Sequence, residues 1–224
     1  MSETVVMLDL DGTLIDTSRL YFEGVPPIVR RHLGRSVSRR ELLPLWGRFA
    51  REFFAYFARQ TECRDPAVVD RMYAEFTRFY LQHHNTLSRP YAGVEEQLPR
   101  IRRHALALGV VTTRPSDRSA PVMEMGWSQE VDFFIWGDQV KRSKPFPDGI
   151  DLAMERYGGT PGARGIYVGD NVHDMAAAKA SRYPVLAVAA LWGTFRGKEL
   201  MDCRPDRAFS SFSDFARWVV TQQE

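Results

Sequence analysis

At 224 residues the chain is long enough for one large domain, or for a core domain carrying a smaller insert. Hydrophobic residues make up 44% of it, which excludes a disordered or fibrous chain and supplies a sizeable core. Lys and Arg number 30 against 28 Asp and Glu, and basic residues gather only in short groups such as Arg30-Arg31, Arg39-Arg40 and Arg102-Arg103, so no nucleic-acid partner is expected.

In chain order, Thr4 to Leu8 (TVVML) is a short apolar, β-branched run that breaks into the acidic, glycine-containing DLDGT. This reads as a buried strand ending in a functional loop. From Asp16 to about His84 the pattern turns helical. Apolar and aromatic residues recur at three- and four-residue spacing through Leu42, Leu45, Trp46, Phe49, Phe53 and Phe57. The spacing resumes at Val69, Met72, Tyr73, Phe76, Phe79 and Tyr80. Breaks fall near Gly34 and Cys63, and Asp65-Pro66 supplies a cap and a start for the last of these helices.

After Ser88-Arg89-Pro90 the chain alternates between types. The expected elements are a helix over 93–108 closing at Gly109, a strand over 110–112, a short helix over 118–125 and a strand over 131–136. A helix over 147–157, a strand over 165–168, a helix over 172–180, a strand over 185–189 and a last helix over 213–222 complete the series. This alternation predicts an α/β fold, a Rossmann-like parallel sheet covered by helices on both faces. The helical block is then an insertion after the first strand. It reads as a small all-α cap domain over 16–89, with 1–15 and 90–224 forming the core.

Cys63 and Cys203 stand in unrelated contexts, so neither a disulfide framework nor a zinc site is expected. The run from Met1 into the first strand leaves no room for a signal peptide, and no stretch reaches the roughly 20 apolar residues of a membrane helix. A cytoplasmic protein without a membrane partner is the expectation.

Four predicted strand ends carry polar residues directly after apolar runs. They are Asp9-Leu10-Asp11-Gly12-Thr13, Thr112-Thr113-Arg114, Lys144-Pro145, and Gly169-Asp170-Asn171-Val172-His173-Asp174. In open α/β sheets, ligands bind where such ends meet at a switch point. Several acids at one sheet edge repel each other unless a cation sits among them, and magnesium prefers hard oxygen ligands. The set therefore describes a metal site beside a phosphate site.

With VVMLDLDGTLIDT, LGVVTTRP, SKPFPDG and YVGDNVHDMAAAKAS in this order, the chain resembles the haloacid dehalogenase superfamily, in its phosphoglycolate phosphatase-like branch with an inserted helical cap. The resemblance covers nearly the whole chain. It implies a Mg²⁺-dependent phosphatase acting on a small phosphorylated metabolite, of phosphoglycolate or sugar-phosphate type, through an aspartyl-phosphate. Asp9 would be the nucleophile and Asp11 the acid that protonates the leaving group and later deprotonates water. Mg²⁺ would be held by Asp9, the backbone carbonyl of Asp11 and Asp170, with Asp174 ligating it or orienting its waters. Thr112, Thr113 and Lys144, with backbone N–H groups of the loop at Leu10 and Asp11, would hold the phosphoryl oxygens. The cap would close over the site and set specificity.

Competing readings attach to several positions. Asp16 equally suits a helix N-cap, Asp174 a plain first-turn acid, and Arg114 a surface residue rather than a substrate contact. His83-His84 point to different faces of a helix and do not form a metal pair. His173 is expected to face solvent. Trp192-Gly193 stands where relatives carry a loop near the rim of the site. Arg19, Tyr21, Arg48 and Arg51 are possible contacts for an anionic substrate tail, with packing or surface roles as the alternative. Asp11 sets the chain apart from true haloacid dehalogenases, and the absence of lysine between Asp16 and Pro90 argues against a phosphonatase. A sugar phosphomutase, or a catalytically silent protein that binds a phospho-ligand, are the alternative functions. Either a monomer or a homodimer fits.

Overall fold

The computed structural model describes residues 3–46, 48–159 and 162–221. The chain divides into two compact units, Met1–Asp16 with Pro90–Glu224, and Thr17–Arg89. It begins with β1 (Thr4–Leu8) and the short β2 (Ile15–Asp16). The helices α1 (Ser18–Leu33), α2 (Arg39–Leu42), α3 (Ala50–Arg59) and α4 (Val68–Leu87) follow, and the chain returns through β3 (Arg89–Pro90). Next come α5 (Val94–His104), β4 (Ala107–Val111), α6 (Ala120–Met123), β5 (Phe133–Ile135), α7 (Asp148–Tyr157) and β6 (Arg164–Gly169). The chain ends with α8 (Val172–Lys179), β7 (Val185–Ala190), α9 (Gly197–Asp202), β8 (Arg207–Phe209) and α10 (Phe212–Thr221).

The larger unit is a six-stranded sheet in the order β5-β4-β1-β6-β7-β8, with every pairing parallel. Both faces are buried because successive side chains of a strand point to opposite sides. Val6 and Leu8 of β1 join the cluster holding Val94, Leu98 and Ile101 of α5 and Phe212, Phe215 and Val219 of α10. Val5 and Met7 join the opposite cluster, with Ile150 and Met154 of α7 and Met175 and Ala178 of α8. The expected doubly covered α/β sheet with an all-α insert after the first strand is the fold found. The sheet order turns at β1: the chain goes from β1 to β4 and β5 on one side, then crosses to β6 on the other. Three strand ends, those of β1, β4 and β6, thereby come together.

The helical unit has its own core. Leu20, Val25 and Ile28 of α1 meet Phe53, Phe54 and Phe57 of α3 and Met72, Phe76 and Tyr80 of α4. Helix α1 ends in Gly34, which takes the left-handed conformation (φ 64°) and returns its N–H to the Arg30 carbonyl. Asp65 accepts the Ala67 N–H at 2.8 Å just before α4. Among the described residues, no helix is long and apolar enough to cross a membrane.

Some boundaries differ from expectation. The helix expected over 93–108 stops at His104, and Gly109 lies inside β4 instead of closing a helix. The extended Ala105 (ψ 150°) and the Leu106 N–H donated to the Thr4 carbonyl (2.8 Å) turn the chain into the sheet. Every residue of ALGVV is buried there, so two covering layers outweigh local helix preference. The short helix expected over 118–125 is a 3₁₀ turn, Ser116–Arg118, followed by one turn of α6. β8 and α9 went unpredicted, being only 3 and 6 residues long. The last helix spans Phe212–Thr221, and the predicted end at Gln222 lies outside the described residues.

Candidate active site

The loop after β1 is folded back on itself. The Leu10 carbonyl accepts the N–H groups of Leu14 and Ile15 at 2.9 Å each, and Gly12 N–H returns to the Ile15 carbonyl at 2.8 Å. Gly12 has φ +85°, and a Cβ there would lie 2.4 Å from the Asp170 carboxylate, so both backbone conformation and close approach require glycine. From the far side, the loop after β7 presses Gly193 so closely on the Gly12 carbonyl that a Cβ would fall 1.6 Å away. Trp192 donates its indole N–H to the Thr13 carbonyl at 2.9 Å. The loop expected at the rim therefore buttresses the backbone that carries Asp9 and Asp11.

Asp9 is 6% exposed, and its Oδ1 lies 2.7 Å from Lys144 Nζ, an ion pair without hydrogen-bond alignment. Lys144 also donates to Asp174 Oδ1 at 2.5 Å. Asp174 takes the Asn171 N–H on its other oxygen at 2.9 Å, closing the first turn of α8, while Tyr167 Oη reaches the same Oδ1 at 3.2 Å. Thr13 Oγ1 approaches Asp170 Oδ1 at 3.4 Å. Asp9, Asp170 and Asp174, all buried, can each offer an oxygen within 4.8 Å of the others. Among the described residues theirs is the one group of acids, histidines or cysteines so placed.

The electrostatics reflect this crowding. Burial pushes the Asp9 carboxyl up to about 7, with Lys144 pulling it down and Asp174 adding to the rise. Burial opposes the Lys144 charge, yet Asp174 and Asp9 together hold its pKa above the ordinary lysine value. The Tyr167 hydroxyl is raised by burial and then by Asp174 and Asp9, so it stays a neutral donor. Three carboxylates against one ammonium leave an excess of negative charge. With an all-oxygen donor set and a buried Asp9 oxygen lacking an aligned donor, these residues fit a hard divalent cation.

Asp11 lies outside that cluster. Both its oxygens are taken by Arg114, from Nε at 3.1 Å and from Nη2 at 2.5 Å. The reading of Arg114 as a surface residue is thus corrected: it is 3% exposed and faces Asp11. Thr112 is buried, and its Oγ1 accepts the Arg114 N–H at 3.1 Å, so its hydrogen points elsewhere. Thr113 is half-buried, its carbonyl set against Gly137, where a Cβ would fall at 2.4 Å.

Other positions resolve differently. Asp16 ends β2, and the cap position of α1 belongs to Thr17. His84 is buried and His83 half-buried, on different faces of α4, and His173 is half-buried rather than open to solvent. Within the helical unit, Arg19 pairs with Glu23, Arg51 with Asp70, and Arg48 is exposed. Tyr21 packs among the rings of Trp46, Phe53 and Phe76.

Sequence reasoning missed Tyr167 and Tyr91. Tyr167 donates to the Val111 carbonyl at 2.9 Å, tying β6 to β4 beside Lys144. Its signal was a hydroxyl within the apolar run GIYVG, where a buried phenol needs a partner. The Tyr91 hydroxyl is held above the ordinary tyrosine value by burial and then by Asp16, Asp170 and Asp11, which marks it as a neighbour of the acids.

The profile of the haloacid dehalogenase-like hydrolases matches residues 6–188. The pyrophosphatase PpaX of Listeria monocytogenes is 30% identical over 223 residues, covering 99% of this chain and 98% of that protein. PpaX of Bacillus velezensis is 30% identical over 213 residues, covering 94% of each. Among solved structures, a predicted phosphoglycolate phosphatase from Haemophilus somnus superposes with a TM-score of 0.85 at 21% identity, covering 97% of this chain and 99% of that one. CbbY of Rhodobacter sphaeroides in complex with phosphate gives 0.77 at 21% identity and 96% coverage of both.

Proposed function

Because the chain belongs to the haloacid dehalogenase-like hydrolases and is a phosphatase of that family, we propose that it hydrolyses a small phosphorylated metabolite by transferring the phosphoryl group to Asp9. The observation that carries this reading is the setting of Asp9: a buried carboxylate at the end of the central strand, 2.7 Å from one ammonium and beside two more buried acids.

Asp9 attacks phosphorus, and as its O–P bond forms the bond to the leaving oxygen breaks. Asp11 gives its proton to that oxygen, then takes one from the water that attacks the aspartyl-phosphate, releasing phosphate and restoring Asp9. Lys144 offsets the repulsion between a carboxylate nucleophile and a phosphate anion, and the Thr112 hydroxyl hydrogen donates to a phosphoryl oxygen. Asp9, Asp170 and the Asp11 carbonyl, with Asp174 nearby, would hold Mg²⁺, which would supply further charge neutralisation when bound. The substrate is of phosphoglycolate or sugar-phosphate type, and pyrophosphate joins the test because of the PpaX relatives.

The test is phosphate release from phosphoglycolate, sugar phosphates, nucleotides and pyrophosphate, with Mg²⁺ and with chelator, beside Asp9→Asn. Metal-dependent release that vanishes in the variant is expected. Equal release by folded Asp9→Asn would remove Asp9 from the mechanism.

A further inference from the structure

We propose that Arg114 is the positioning residue of Asp11, fixing the carboxylate that handles the leaving-group proton; this rests on the acid–base reading of Asp11 given above. The guanidinium donates from Nε and Nη2 to the two oxygens of Asp11 at 3.1 and 2.5 Å, a fork that fixes both torsions of the aspartate. Side-chain exposure divides the pair sharply: 1% for Arg114 and 25% for Asp11. The arginine is therefore sealed behind the acid, and the acid alone presents an open side. Each carboxylate oxygen has two lone pairs, and the fork occupies one on each.

The arginine is itself held in place. Its N–H donates to Thr112 Oγ1 at 3.1 Å, and its carbonyl accepts the Gly137 N–H at 2.9 Å. Gly137 lies so close to the Thr113 carbonyl that no side chain fits between, and Pro115 restricts the Arg114 backbone to extended conformations. Asp11, by contrast, sits beside the left-handed Gly12 on a loop whose backbone is hydrogen-bonded at Leu10 and Gly12. A guanidinium stays charged throughout and passes on no proton, so Arg114 acts on the reaction through Asp11. The two cations divide the carboxylates between them: Lys144 serves Asp9 and Asp174, while Arg114 serves Asp11. Displacement of a reacting group by about 1 Å can cost on the order of 10²-fold in rate, which sets the size of the effect.

The test compares two esters on the Mg²⁺-loaded protein: p-nitrophenyl phosphate, whose phenolate departs without a proton, and the alkyl phosphate monoester that the panel ranks highest. In Arg114→Met, kcat/KM for the alkyl ester should fall about 100-fold with KM little changed, while the nitrophenyl ester falls less than about tenfold. Arg114→Lys, which keeps a cation but reaches one oxygen, should show a smaller loss with the same selectivity. Guanidinium ion added to Arg114→Ala should restore alkyl-ester turnover. In Asp11→Asn, the further change Arg114→Met should cost nothing more. Equal losses on both esters, or wild-type behaviour of the arginine variants, overturn the role of Arg114. A misfolded Arg114→Met leaves the decision to Arg114→Lys and to guanidinium rescue. Unimpaired alkyl-ester turnover by Asp11→Asn would instead overturn the reading of Asp11.

Discussion

Asp170 and Asp174 are four residues apart and equally buried, yet their surroundings differ. Asp174 gives one oxygen to Lys144 and Tyr167 and the other to the Asn171 N–H, so its carboxylate is committed to holding the lysine and the first turn of α8. Asp170 stands against the Gly12 turn, where even a methyl group would collide with its carboxylate. A direct ligand and a group acting through its neighbours are distinguishable on that basis. Asp170→Asn should abolish Mg²⁺ binding measured by calorimetry, whereas Asp174→Asn should weaken it about tenfold, the lower end of outer-shell effects. Equal loss in both would make Asp174 a ligand in its own right. Arg114 shows how far a side chain's meaning depends on its surroundings: next to a proline at a strand end it reads as a surface arginine, and the fold buries it behind Asp11.

Elements here are fixed by what covers them. Gly109 pairs with Phe133 across β4 and β5, and the phenyl ring lies over the glycine, 2.3 Å from where a Cβ would be. Sequence periodicity carries the preceding helix to that glycine, because Leu108 continues the three- and four-residue spacing of Leu98, Ile101 and Ala105. The sheet claims those residues, as ALGVV is buried from both sides. Gly109→Val raises local β-propensity, yet overpacking against Phe133 should dominate and cost about 1–3 kcal/mol, read by urea denaturation. An unchanged or raised midpoint would mean that the ring moves aside freely.

For the whole molecule, the acid cluster couples stability to pH and to metal. The Asp9 pKa rises on folding from 3.8 to about 7, so the folded state holds a proton that the unfolded chain releases. Its stabilising contribution is fully present below pH 3.8 and is lost as pH rises through about 7. In chelator, the melting temperature of wild type relative to Asp9→Asn should therefore decline across that window. Added Mg²⁺ should stabilise wild type more at pH 8 than at pH 5, because the cation binds the ionised carboxylate. A wild-type advantage that grows with pH in chelator would contradict the sign.

The sequence alone determined the α/β sheet, the helical insert after the first strand, and the polar ends of β1, β4 and β6, whereas Lys144 lies nine residues past the end of β5 at Ile135. Each depends on short-range signals: apolar runs of strand length, three- and four-residue spacing, and glycine turns. Tertiary structure decided which of those polar residues face one another. It joined Lys144 to Asp9 and Asp174, closed Arg114 on Asp11 across 103 positions of chain, and laid Gly193 on the Gly12 turn. The physical reason is that such partners are selected by burial, where an unpaired charge is costly, and burial depends on the packing of the whole chain rather than on any local run of residues.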